Sequence, residues 1–169
     1  MHEYLERALS SIAWPRETTV SAEIEPGPVV WLDVDLPELE HMPTHSATVA
    51  TRGLKVNIKA KPEKQRRTDY VTHVHAVACR LIGEAFAALP TATAVVLSGY
   101  TQRPARATGN STDVYVLSVK AARSDWRDIR FDKLSDLDPV EALGQFDCRR
   151  EIKKNFELGP IEPFQPAIS

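Results

Sequence analysis

Three groups of side chains in the sequence can do chemistry. His73-Val74-His75 has the composition of a metal pair. On a helix, however, residues two apart point about 200° apart, whereas ligand pairs need spacings of three or four. With a helix over this segment the two imidazoles cannot share one ion. Nothing nearby completes a zinc-like set, so no metal site is expected there. His73, Arg80 and Glu84 fall on one helical face, at separations of seven and four. Arg80 and Glu84 can pair at i,i+4. In an otherwise apolar stretch this polar face is expected to be structural, a partly buried ion pair that sets how the helix docks. Asp33 and Asp35 share a strand face and can hold a cation or act as an acid–base pair. The solvated face of a strand, or protection of a strand edge, is the structural alternative.

Basic side chains gather in three stretches: Lys59 to Arg67; Arg103 and Arg106; and Arg149, Arg150, Lys153 and Lys154. Converging in space, they could track phosphates, with Arg103, Arg106, Arg149 and Arg150 as the binding candidates. Tyr100, Tyr115 and Phe131 are the aromatic residues near enough to stack bases. No P-loop, dinucleotide fingerprint, nucleophile elbow or H-E-x-x-H is present. A net charge of -2 argues against a surface that is basic throughout. The 169 residues suit one domain, which buries about 70% of its unfolded surface and needs no disulfide to fold. Cys79 and Cys148 lie in no C-x-x-C pair and are expected as reduced thiols. With no apolar run long enough to span a bilayer and no secretory leader pattern, a cytoplasmic location without membrane contact is expected.

The elements that would position these groups follow from periodicity. Residues 1–13 read as an amphipathic helix carrying Tyr4, Leu5, Ala8, Leu9 and Ile12, stopped by Trp14-Pro15. Two strands, Thr18 to Glu25 and Val29 to Leu36, flank the turn dipeptide Pro26-Gly27. Thr48 to Ala60 reads as one strand kinked at Arg52-Gly53. There Leu54, Val56 and Ile58 alternate with Lys55, Asn57 and Lys59, the pattern of a half-exposed strand. A long helix is predicted from Pro62 to Leu89. Its second half is apolar nearly all round and should be buried on more than one side. A hairpin of Ala94 to Arg103 with Asp113 to Arg123 follows, then a short helix or turn over Trp126 to Leu134. Asp138-Pro139 caps a further helix, and residues 159–169 form an extended tail.

The order helix with glutamate, strand, strand, helix resembles part of the core of restriction-endonuclease-like nucleases. That resemblance implies a divalent-metal site, Mg or Mn, built from Glu84, Asp113 and Lys120, with Arg103 and Arg106 on the substrate. The chain departs from the pattern twice. The first hairpin strand has no acid, and Ser118 precedes Val119-Lys120 where an acid belongs. A wider resemblance rests on Trp14-Pro15-Arg16-Glu17-Thr18, the segment Leu32 to Glu38, Arg80 to Phe86, Leu117-Ser118-Val119, Asp138 to Ala142 and Pro160 to Pro163. Together these resemble the C-terminal region of a group of uncharacterised bacterial proteins with an N-terminal domain of unknown function and a charged helical middle. The resemblance implies the terminal module of a larger protein and carries over no activity or functional residue.

The expected fold is α+β. A mixed or mostly antiparallel sheet of about five strands should carry the long helix across one face, with short helices at its periphery. The expected function is a non-enzymatic interaction or regulatory domain without a cofactor. It would bind a protein partner or self-associate through the N-terminal helix. The alternative is a divergent metal-dependent nuclease or a nucleic-acid-binding domain.

Overall fold

The computed structural model describes residues 2–13, 18–51, 55–104 and 107–166. Trp14-Pro15, Arg52-Gly53 and Arg106 lie outside the described residues. The chain runs α1 (His2–Ser10), β1 (Val20–Glu25), β2 (Val29–Asp35), β3 (His45–Val49), β4 (Val56–Ala60), α2 (Glu63–Ala88), β5 (Ala94–Pro104), β6 (Ser111–Ala122), α3 (Arg123–Trp126), α4 (Pro139–Leu143) and β7 (Asp147–Arg150). Two 3-10 segments, Leu39–His41 and Phe131–Asp136, sit in the connections.

Five strands form a mixed sheet in the order β1-β2-β5-β6-β7, with α2 packed across it, so the fold is α+β. β2 and β5 are parallel, and the chain passes between them through α2. The other neighbours are antiparallel. Strand alternation builds the core side. Val30, Leu32 and Val34 on β2 stand beside Val95, Leu97 and Gly99 on β5, which face Ala121, Val119 and Leu117 on β6. Val74, Ala78, Leu81 and Ile82 of α2 are buried in the same core. Each fully buried Val or Leu stabilises the fold by about 1.5–3 kcal/mol over an exposed one.

Gly27 and Gly99 are sterically required beside β2. Gly27 adopts φ +101° in the turn between β1 and β2, a conformation that costs glycine little. Gly99 admits Leu36, because a Cβ there would lie 2.4 Å from Leu36 Cδ1. The pairing slips at Gly99/Tyr100, so Val116 has no partner and turns into the core while Tyr115 and Ser118 both face outward.

The structure revises or adds to four readings. The segment expected as one kinked strand is an antiparallel ribbon, β3–β4, and forms a second small sheet. α1 buries Leu5 and Leu9 in the chain's own core against α2 and β1. Two members of the stripe, Leu5 and Leu9, thus pack within the chain, while Tyr4 stays 63% exposed. β7 adds an edge strand whose four residues carry no hydrophobic alternation. The tail to residue 166 has no regular structure but lies along the outer face of β6, where Ile161 N–H donates to Tyr115 O and Phe164 N–H to Ser118 Oγ.

The Asp138 cap forms as its sequence signature predicts. Its Oδ1 accepts from the N–H groups of Val140 and Glu141, and α4 then packs Leu143 onto α2. Asp138→Ala is expected to cost about 1 kcal/mol. A urea midpoint unchanged from that of the parent chain would contradict it.

Candidate functional site

Glu84, Asp113 and Lys120 do not assemble. Glu84 is on α2, on the side turned away from the sheet, beside Gly83 and Ala87. Asp113 and Lys120 lie on the opposite face of the sheet. They pair with Gln102 and Val96, six positions apart on β5, or about 20 Å of strand. The sheet itself stands between them and Glu84. Among the described residues, no three His, Cys, Asp or Glu side chains are grouped to hold a metal ion. These residues therefore do not fit a nuclease metal centre.

The Arg80–Glu84 pair is not sealed in the core either. Arg80 Nε stands 3.9 Å from Glu84 Oε1, and the side chains are 49% and 43% exposed. A pair so exposed contributes little. His73 on the same face is half-buried, and burial lowers its pKa. This side of α2 looked buried in sequence because its residues are small. In space, Ala76, Gly83 and Ala87 line an open groove of about 650 Å³, roofed by Trp126, Phe131 and Leu134. His75 points the other way and is fully buried, so the two histidines diverge as their spacing requires.

The arginines disperse, and most hold the chain itself together. Arg149 donates to the carbonyls of Glu162 and Pro163 and stacks 4.0 Å from the Phe164 ring centre, which pins the tail. Arg150 donates to Val140 O at 2.7 Å. Lys61 pairs with Asp69 at 2.6 Å, and Arg67 with Glu63. Arg103 donates to Leu158 O and lines a cleft with Arg67 at the carboxyl ends of β2 and β5.

Asp33 is joined on the outer face by Tyr115, whose hydroxyl donates to Asp33 Oδ2 at 3.2 Å. Burial raises the Asp33 pKa and nearby Asp113 adds to the rise, while the Tyr115 bond partly offsets both. Burial and Asp33 together push Tyr115 up to about 12. Tyr100 packs edge-on to Tyr115, with ring centres 5.7 Å apart. Burial likewise pushes the Cys79 thiol up to about 12, which keeps it protonated and unreactive.

The most unusual surface is one the sequence reading did not single out. In the β3–β4 ribbon, Ala47 opposes Ile58 and Val49 opposes Val56, so these four share one face. Val49 is 74% exposed, Val56 57% and Ile58 68%. Ser46, Thr48, Asn57 and Lys59 make the other face. The alternation of Val56 and Ile58 with Asn57 and Lys59 signalled a half-exposed strand. It could not say that the apolar half would be left uncovered.

No helix among the described residues is long and apolar enough to cross a membrane. Comparison with protein-family models, curated proteins and solved structures finds no match.

Proposed function

We propose that this chain is a non-enzymatic interaction domain that assembles with a second copy of itself through the β3–β4 ribbon. The observation that carries this reading is the exposed apolar face of Val49, Val56 and Ile58 on a ribbon that, among the described residues, forms a two-stranded sheet separate from the main one. An isolated two-stranded ribbon is marginal in water, and one with an uncovered apolar face invites a partner.

The edges indicate how a second copy would join. β4 carries Lys59 and is bracketed by Lys55 and Lys61, so two β4 edges side by side would oppose like charges. β3, His45-Ser46-Ala47-Thr48-Val49, carries no lysine, arginine or acid. Among the described residues, no backbone bond ties it to anything beyond the ribbon and its ends. Two ribbons related by a twofold axis, β3 beside β3 and apolar face on apolar face, would cover Val49, Val56 and Ile58 of both copies, the self-complementary arrangement common in dimers. The resemblance of several segments to the terminal region of larger bacterial proteins fits a module that brings copies of such a protein together.

Light scattering on the full chain over a range of concentrations tests the reading. A concentration-dependent dimer is expected. Val49→Lys places a charge on the exposed apolar face and should weaken dimerisation at least about tenfold. The melting temperature of the dilute protein should stay unchanged. A monomer at every concentration, or a dimer indifferent to Val49→Lys, would overturn it.

A further inference from the structure

The cleft at the carboxyl ends of β2 and β5 is another unassigned feature, and it is independent of the ribbon. It measures about 500 Å³, the size of a small-molecule site. It also lies where open sheets with parallel strands place their ligands, beyond the strands' carboxyl ends.

Its inner wall is made of donors. Thr101 is 2% exposed, and its buried Oγ1 has no hydrogen-bond partner among the described residues. Arg67, from the first turns of α2, gives Nη2 to Glu63 but keeps a buried Nε without a partner among the described residues. Arg103 uses Nη2 on Leu158 O, yet a guanidinium has five N–H donors. Burial holds the Tyr70 phenol well above its ordinary range, so its hydroxyl stays protonated and able to donate. Buried polar atoms left unpaired are costly, and a polar site open to small solutes is where such atoms find partners.

The mouth has the opposite character. The exposed Glu40 and Glu157 line it, with the part-buried Glu38 further in. Three carboxylates repel a polyanion, so a nucleic-acid strand fits poorly. A compact solute that sends one anionic group past them to the arginines fits well. Phe156 and Leu158 supply apolar wall for the rest of it.

We propose that this cleft binds a small molecule by a single oxyanionic head, a carboxylate or a phosphate monoester, held by Arg67, Arg103 and the Thr101 hydroxyl. Planar guanidinium forks suit either head group, and the hydroxyl supplies a short-range donor that a bulk counter-ion site lacks.

The test is a titration of the full chain followed by amide NMR. Sodium phosphate and sodium acetate are added in separate arms, each against sodium chloride at matched ionic strength. Saturable shifts are expected at Tyr70, Thr101, Gln102, Arg103 and Leu158. Thr101→Val keeps the side chain's shape and should weaken saturation about fivefold, the value of one hydrogen bond. Arg103→Gln should abolish it, while far-UV circular dichroism reports whether each variant is folded. Response in one arm only assigns that head group, and response in both assigns the shared oxyanion chemistry. Shifts that match chloride, or saturation that survives Thr101→Val unchanged, overturn the proposal.

Discussion

Lowering the pH from 7 to 4 is expected to remove about 3 kcal/mol of stability through His75 alone. The imidazole is fully buried on α2, its Nδ1–H donates to Val71 O at 2.7 Å, and its Nε2 has no partner among the described residues. Burial lowers its pKa from 6.5 to about 4; the Val71 bond opposes that shift, Arg150 adds to it, and Asp138 opposes it. Between those two values the unfolded chain takes up a proton that the native chain refuses. The stability tied to neutral His75 is therefore complete above pH 6.5, falls as the pH drops, and stops falling below about 4. His75→Leu removes the titration and the unpaired nitrogen together. Urea unfolding at successive pH values should show the gap between parent and variant changing by about 3 kcal/mol across the window. The carboxylates and His73 titrate in both proteins and cancel. Parallel profiles would mean that water reaches the imidazole.

Replacing Arg123 with Met is expected to cost a similar amount, about 3 kcal/mol, at every pH. The last carbonyls of a helix have no partner within it. The end of α2 has no basic residue of its own. Arg123, from the start of α3, supplies what is missing. Its Nη2 donates to Phe86 O and Leu89 O, its Nε to Ala92 O, and the guanidinium lies 4.5 Å from the Phe86 ring centre. One side chain thus ties the end of α2 to the loop before β5 and to the end of β6. Met keeps most of the stem but leaves Phe86 O and Ala92 O unpaired, while Leu89 O retains only the Ala92 N–H. Lysine, a single point donor, should recover less than half of the loss because it cannot fork across them. The readout is a lower urea midpoint at unchanged slope. Full recovery by lysine would show that charge, not the planar fork, holds this corner.

The candidate surfaces were legible only in part. The alternation in Val29 to Asp35 placed Val30, Leu32 and Val34 together, and the structure buries all three. The basic character of Arg103 was visible, but its neighbour in the cleft, Arg67, comes from another element and another basic stretch. Glu84 looked like a group held in the core because Ala76, Gly83 and Ala87 count as apolar in any periodicity. A small residue is equally at home on an open groove wall. The ribbon was missed for a related reason. Alternation says that two faces differ, and only the rest of the chain says which one is covered.

The local features, then, were determined by the sequence itself. The turn at Pro26-Gly27, the cap at Asp138, the divergence of His73 from His75 and the long helix each depend on backbone preferences within a few residues. Tertiary structure alone decided which side of α2 meets the sheet, which ribbon face stays bare, and which carbonyls Arg123 and Arg149 find. Those outcomes depend on contacts between segments tens of residues apart. A side chain's type states what it can bind, but not which distant group folding will bring within reach.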